Sequence, residues 1–262
     1  MQMKINYPTL YVDIGNTSIK LYFQTKKNST LIVYRIFHKK LNIIPELYKI
    51  CYECLIIPLQ ICIVSVVKSL HMTLHDNLKR IYPLAKILEF NINNVKMFIP
   101  ENYPKSQLGH DRIITALGAK SIYPDNPTIV VDMGSATTID IISKDDEFIG
   151  GSILPGVQAW TECLNNSIEI FEEMKIDFSP PPSNVGRNTI EGIKIGIYNG
   201  YLGGIREVIK ASIANLSSKE KVFIVATGGY SHKLKNEKLF NIIDDNLFIK
   251  GVKNYIESCQ QP

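Results

Sequence analysis

The strongest constraint on this chain is a pattern that occurs twice. "YVDIGNTSIKLYF" (Tyr11 to Phe23) is an apolar run ended by Asp-x-Gly, a short polar turn, and a resumed apolar–polar alternation. "TIVVDMGSATTIDIISKDDEFIGGSILPG", which begins at Thr128, repeats it. Superposing Asp13 on Asp132 also brings Gly15 onto Gly134, and both glycines are followed by small hydroxyl-bearing or amide residues. Period-two alternation on both sides of a Gly-containing turn is a hairpin signal. A repeat of this kind about half the chain apart predicts two similar α/β domains facing each other. The length of 262 residues, 45% of them hydrophobic and 21% charged, suffices for one large core or two medium domains. The Pro- and Asn-bearing segment YPDNPT (Tyr123 to Thr128) is the linker candidate, dividing the chain into residues 1–123 and 124–262.

The rest of the pattern fits this division. Strands are predicted at Thr9 to Asp13, Ile19 to Gln24 and, after a KKNST turn, Leu31 to Phe37; a helix follows at Ile43 to Cys54. "ICIVSVV" (Ile61 to Val67) is a continuous apolar run of strand length, as expected where both faces of a sheet are covered. Amphipathic helices are predicted at Leu70 to Tyr82, before Pro83, and at Arg112 to Ile122. In the second half, helical patterns cover Val157 to Met174, Thr189 to about Leu216 and Leu247 to Ser258. "VFIVATGGYS" (Val222 to Ser231) reads as a strand ending in a Gly-Gly turn.

Several function classes are disfavoured. The net charge of +4 is spread along the chain, with no like-charged block to serve as a nucleic-acid arm or polybasic membrane anchor. The start, MQMKINYPTL, lacks a signal-peptide core, and the most apolar stretch, Cys54 to Val67, is interrupted and too short to span a bilayer, so a cytoplasmic protein without nucleic-acid or membrane partners is expected. The five cysteines, Cys51, Cys54, Cys62, Cys163 and Cys259, have no regular spacing and read as free thiols rather than a disulfide framework or zinc site.

The chemistry lies in the turns. Glycine at a hairpin tip lets a ligand approach the backbone closely. Asn16, Thr17 and Ser18 add donors, and Lys20 adds a charge that could neutralise a phosphate. Asp13 cannot itself welcome a phosphate, but it can do so through Mg²⁺ or that ion's waters. A single Asp-x-Gly-Asn-Thr is most simply an ordinary turn. That reading must explain three coincidences once Asp132 to Thr138 and the strand end Thr227 to Gly229 are counted, whereas two phosphate-facing hairpins and a nucleoside-facing Gly-Gly turn explain them together.

An ordered series of motifs resembles the type III pantothenate kinases, members of the actin, Hsp70 and sugar-kinase superfamily. It comprises "DIGNTSIK" (Asp13 to Lys20), "VSVVKSL" (Val64 to Leu70), "YPKSQLGHDR" (Tyr103 to Arg112) and "VVDMGSATTIDII" (Val130 to Ile142). "GGSILPGV" (Gly150 to Val157), "VGRNTIEGIKIGIYNGY" (Val185 to Tyr201) and "ATGGYS" (Ala226 to Ser231) complete it. The resemblance implies an α/β fold of duplicated ribonuclease H-like (actin-like ATPase) domains, with mixed sheets and flanking helices.

It also implies a kinase that phosphorylates pantothenate with ATP, at the entry to coenzyme A synthesis. By resemblance, Asp13, Gly15, Asn16, Thr17, Ser18 and Lys20 hold the triphosphate, Asp13 reaching Mg²⁺ through water. Ser135 touches ATP, and Gly228 and Gly229 lie by the adenosine. Asp132 helps bind a monovalent cation, K⁺ or NH₄⁺. Pantothenate contacts fall on Tyr103, on Gly109, His110, Asp111 and Arg112, and on Thr189. Asp111 is the general base.

By its position alone, after a glycine at the start of a helix-like segment, Asp111 suits either a helix cap or a base; the neighbouring motifs favour the base. Arg112 could meet the substrate carboxylate or form a structural ion pair, and a site role is favoured. His110 occupies the variable position of the family's G-x-D-R, so it is no sign of a histidine base, and His38, His71, His75 and His232 read as surface or cap residues. Ser135 stands where the family usually has Thr and keeps the hydroxyl.

The family resemblance further implies a homodimer, and the glycines Gly192, Gly196, Gly200, Gly203 and Gly204 in the long helical pattern fit close helix packing, since each would otherwise lower helix propensity by about 1 kcal/mol relative to Ala. Three other readings are weighed, of which a plain structural module is least favoured because it leaves the repeated hairpins unexplained. A kinase of another small hydroxyl substrate should lack the G-x-D-R and G-R-N-T segments. A non-catalytic regulator of the Bvg accessory factor type should have lost a key acid, whereas Asp13, Asp111 and Asp132 are all present.

Overall fold

The computed structural model describes residues 7–26, 30–38, 43–167, 177–216 and 220–259. The N-terminal reading over residues 1–6, the centre of the KKNST turn and residues 168–174 of the expected fourth helix lie outside the described residues. Two compact units emerge: residues 1–95, 105–114 and 256–262 in one, and 96–104 and 115–255 in the other.

The first unit holds strands β1 (Thr9–Ile14), β2 (Ser18–Gln24), β3 (Ile32–Phe37), β4 (Gln60–Ser65) and β5 (Lys86–Glu89), in the order β3-β2-β1-β4-β5. β1 and β2, and β2 and β3, pair antiparallel; β4 is parallel to β1, and β5 to β4. Helix α1 (Ile43–Glu53) connects β3 to β4, and α2 (Lys68–Ile81) connects β4 to β5. A parallel neighbour requires such a crossover, whereas antiparallel neighbours need only a turn. Alternate residues of β1, β2 and β4, namely Leu10, Val12, Ile14, Ile19, Leu21, Phe23, Ile61 and Ile63, bury one sheet face against Leu47 and Ile50 of α1 and Leu74 and Leu78 of α2. Burying each such side chain contributes about 1.5–3 kcal/mol.

The second unit repeats this plan strand for strand. β6 (Thr128–Met133), β7 (Ala136–Ile142), β8 (Phe148–Pro155), β9 (Phe223–Thr227) and β10 (Ile242–Ile243) lie in the order β8-β7-β6-β9-β10. β6–β7 and β7–β8 are antiparallel, and β6–β9 and β9–β10 are parallel. Helices α4 (Val157–Ser167) and α5 (Thr189–Asn215) cross from β8 to β9, and α6 (Leu247–Cys259) follows β10. Ile197, Tyr201 and Ile205 of α5 pack on Ile129, Val131, Met133 and Ile139. The repeat seen in sequence as two turns is thus a duplication of a whole five-stranded mixed sheet with flanking helices, the ribonuclease H-like plan.

Helix α3 (His110–Ile122) carries residues of both units. Its Lys120 is buried, and the ammonium donates to the carbonyls of Asn126, Ser143 and Lys144 at 3.0–3.1 Å and lies 3.1 Å from Asp146 Oδ1. Lys120→Ala leaves these carbonyls without their donor and is expected to lower unfolding free energy by about 2–3 kcal/mol. Urea denaturation followed by circular dichroism checks this; an unchanged midpoint would contradict the anchoring role.

The sequence did not predict β5 or β10. Both are short edge strands, of four and two residues, too brief for a periodic signal. Among the described residues, no helix is long and apolar enough to cross a membrane.

Candidate active site

In the first unit the β1–β2 turn is closed by Gly15, whose N–H donates to the Ser18 carbonyl at 3.1 Å. A Cβ on Gly15 would meet only ordinary contact, 3.4 Å from that carbonyl oxygen, so the chain itself does not demand glycine there. What glycine does is leave the hairpin tip bare to whatever approaches it. His38, following β3, donates its backbone N–H to the Thr17 carbonyl at 2.9 Å and so braces the tip. Its side chain carried no sequence signal for this, because the contact is through the main chain.

Asp13 and Lys20 face each other across β1 and β2 in register, with Lys20 Nζ 3.1 Å from Asp13 Oδ2. Asp13 is buried. It lies near enough to the start of α3 for its negative charge to act on Asp111. Burial first, and the Asp13 charge second, push the Asp111 carboxyl above the usual carboxylate range; the backbone N–H and the guanidinium of Arg112 oppose the rise. Arg112 N–H donates to Asp111 Oδ1 at 2.9 Å, and Arg112 is itself buried. A Cβ on Gly109 would come within 2.5 Å of Asp111 Oδ1, so glycine there makes room for the carboxylate in the position it holds.

Two carboxyls in mutual repulsion, one with a raised affinity for protons, form an arrangement that a divalent cation or a proton relieves. Mg²⁺ typically takes one or two carboxylates and completes its shell with water and phosphate oxygens. Asp13 fits that role. Among the described residues, no group of three His, Cys, Asp or Glu side chains is placed to hold a metal ion.

His110 turns its ring to the protein. The ring meets Phe90 edge-on, with centroids 5.0 Å apart, and hydrogen-bonds the Ser65 backbone. Burial lowers its pKa below the ordinary histidine value, which leaves it neutral near pH 7.

In the second unit the β6–β7 turn is one residue shorter. Gly134 N–H donates to the Ala136 carbonyl at 3.0 Å, and Asp132 faces Thr138. Ser135 is exposed at the tip. Gly228 follows β9 with φ +90°, and a Cβ there would lie 2.6 Å from Asp132 Oδ1 and from the Met133 backbone. The structure therefore brings the Gly-Gly turn and the second Asp-x-Gly hairpin into contact, while Gly229 has open space where its Cβ would be. Gly156, just after β8, is likewise pressed against the carbonyls of Gly134 and Ser135. Beneath the hairpin, Thr137 Oγ1 and Tyr201 Oη are 2.6 Å apart. Burial, with a lesser contribution from the Asp132 charge, pushes the Tyr201 hydroxyl up to about 12.

Two of the expected substrate contacts, Tyr103 and Thr189, lie in this unit rather than at the start of α3. Tyr103 meets Phe148 edge-on at 5.7 Å, over the β7–β8 hairpin. Thr189 is exposed in the first turn of α5, which Asn188 caps by accepting the Glu191 N–H at 3.0 Å.

Comparison with known proteins follows from this geometry. A family model described as type III pantothenate kinase matches residues 9–211. A type III pantothenate kinase 1 of Francisella tularensis subsp. holarctica is 38% identical over 147 residues, 56% of each chain. A type III pantothenate kinase of Dehalococcoides mccartyi is 35% identical over 149 residues, covering 56% of this chain and 54% of that one. The match thus spans about half the length of these curated relatives. Among solved structures, a protein described as a Baf family transcriptional activator from Campylobacter jejuni shares 20% identity with a TM-score of 0.60, covering 95% of this chain and 98% of that one. An activator of 2-hydroxyisocaproyl-CoA dehydratase from Clostridium difficile, solved with bound ADPNP, has a TM-score of 0.54 at 12% identity and covers 97% of this chain and 96% of that one. At such identities these two structures speak for the fold alone.

Proposed function

The chain belongs to the type III pantothenate kinase family, and from that premise we propose that it transfers the γ-phosphoryl group of ATP to the primary hydroxyl of pantothenate, giving 4′-phosphopantothenate. The observation that carries this reading is the Asp111 carboxyl, raised by burial and by the charge of Asp13, at the start of α3 in the same unit as the first Asp-x-Gly hairpin.

Phosphoryl transfer passes through a loose transition state, so catalysis consists mainly of positioning and charge neutralisation. Asp111 accepts the proton of the pantothenate hydroxyl as the oxygen attacks phosphorus, and Gly109 and the Arg112 N–H hold its carboxylate in place for that task. Lys20 and the hairpin donors of Asn16, Thr17 and Ser18 receive the triphosphate at the bare tip left by Gly15. Asp13 would hold Mg²⁺ through water, and the ion would there neutralise phosphate charge. Ser135, Gly228 and Gly229 take the rest of the nucleotide. Tyr103, Gly109, Arg112 and Thr189 contact pantothenate, and His110 does so through its main chain, its ring being committed to Phe90. Asp132 holds the monovalent cation, K⁺ or NH₄⁺.

The same reading includes a homodimer and a duplication whose halves join at YPDNPT, residues 1–123 and 124–262. Gly192, Gly196 and Gly203 on α5 have open space where a Cβ would be and lie along one face of the helix, which supports close approach of a second copy. A cytoplasmic setting accords with this role.

Purified protein with ATP, Mg²⁺ and K⁺ is expected to phosphorylate pantothenate in preference to a panel of other small hydroxyl compounds. Absence of turnover with either K⁺ or NH₄⁺ present would remove the kinase assignment and leave a binding protein on the same fold.

A further inference from the structure

At the end of the first sheet remote from Asp13, two loops carry protruding apolar side chains. Leu55 is 94% exposed, Ile57 72% and Leu59 51% in the α1–β4 loop, Tyr52 is 87% exposed at the end of α1, and Leu84 is 90% exposed in the α2–β5 loop. These loops form one surface. Lys86 N–H donates to the Leu59 carbonyl at 2.9 Å, Tyr82 Oη to the Cys51 carbonyl at 3.3 Å, and Lys79 Nζ to the Ala85 carbonyl at 3.5 Å. Monomeric surfaces carry single exposed apolar residues as a matter of course, but a contiguous group marks an interaction site.

The rim is basic. Lys49, Lys79, Arg80 and Lys86 are exposed around the patch and outnumber the two exposed acids of α1 and α2, Glu53 and Asp76. Charge complementarity therefore calls for an anionic occupant. A second copy of this chain would bring the same four cations against them, which disfavours self-association through this face.

Between an acidic protein and an anionic lipid surface, the side-chain types decide. Protein interfaces are enriched in aromatic, Met and Arg anchors seated in pockets, and are depleted in Lys. Here aliphatic side chains stand proud on loop tips, and three of the four cations are lysines, the residue type that covers apolar surface with its stem while keeping its charge in polar surroundings. Such an arrangement suits the boundary between headgroups and acyl chains, with Tyr52 at the interface.

We propose that this end of the first unit docks on anionic lipid surfaces, inserting Leu55, Ile57 and Leu84 while Lys49, Lys79, Arg80 and Lys86 meet the headgroups. The attachment is peripheral and is independent of the phosphoryl-transfer site, since the patch lies where β4 and β5 begin and Asp13 lies where β1 ends.

Co-sedimentation of the full chain with phosphatidylcholine vesicles, and with vesicles of phosphatidylcholine and phosphatidylglycerol, tests this. Binding at least about tenfold stronger to the anionic vesicles is expected, falling about fivefold for each cation removed in Lys49→Ala and Lys86→Ala, and weakening as salt is raised. The Leu55→Glu/Leu84→Glu variant is expected to lose binding while keeping its thermal unfolding midpoint, because both side chains are already in solvent. Equal affinity for the two vesicle types, or retention by the double variant, would overturn the proposal. Conversion of an oligomer into a monomer by that variant, without vesicle binding by the parent, would assign the patch to a protein partner instead.

Discussion

Asp111→Asn is expected to lower kcat by about 10²–10⁴-fold while leaving ATP affinity nearly unchanged, because the substitution removes the proton acceptor but keeps the oxygen that receives the Arg112 N–H. The pH dependence sharpens the test. A general base works only when deprotonated, and burial together with Asp13 raises the Asp111 pKa. The acid limb of kcat/KM for the parent enzyme is therefore expected above the ordinary carboxylate range, with activity rising as pH rises through that limb. The asparagine variant should lack it.

Stability is expected to move the other way. A carboxyl whose folded pKa is raised binds its proton more tightly in the folded state. Its contribution is therefore most favourable below its unfolded pKa and is lost as pH rises through the folded value. At neutral pH the charged Asp111 is a burden on the fold, so the variant should unfold at a slightly higher temperature than the parent, as groups held for function often do when replaced. Stopped-flow or coupled-assay kinetics across pH, with calorimetry on both proteins, measure the two effects. A kcat within a few-fold of the parent would sink the base role and leave Asp111 as a helix cap.

Gly228→Ala is the substitution expected to cost most in stability, about 2–5 kcal/mol. Its backbone sits at φ +90°, a region that side-chain-bearing residues rarely enter, and strain there costs of order 1–3 kcal/mol. The added methyl would also be driven to 2.6 Å from Asp132 Oδ1 and from the Met133 N and C atoms. Two of those three contacts are main chain in a buried strand, where relief requires β6 and β9 to separate, and overpacking of this kind typically adds 1–3 kcal/mol. Gly229→Ala provides the control, because a Cβ there meets nothing within 4 Å. Guanidinium denaturation of the pair should show the loss at 228 and little change at 229; equal midpoints would mean that the turn does not lie against Asp132 as described.

The two hairpins were legible in the sequence because both halves of the signal, an Asp-x-Gly turn and period-two alternation, are local. The helices were legible for the same reason, α1, α3, α5 and α6 falling within a few residues of the expected spans. The reason for Gly228 was not legible. Its neighbour is the Asp132–Met133 backbone, brought alongside only by the parallel pairing of β6 with β9. His110 illustrates the same limit: its position beside Asp111 placed it among substrate contacts, but only the fold turns its ring to Phe90 and Ser65. The basic rim was invisible too, since Lys49, Lys79, Arg80 and Lys86 are scattered through three elements and form no run in the chain.

The unequal turns of the duplicated sheets set different residues opposite their aspartates. Where β1 and β2 face each other, Lys20 sets an ammonium beside Asp13. At the equivalent register in the second sheet, Thr138 brings a hydroxyl opposite Asp132. One half of the duplication thus carries its counterion as part of the polypeptide. The other sets a hydroxyl at that register, so divergence at a single cross-strand position is enough to give two copies of one sheet different chemistry at the same place.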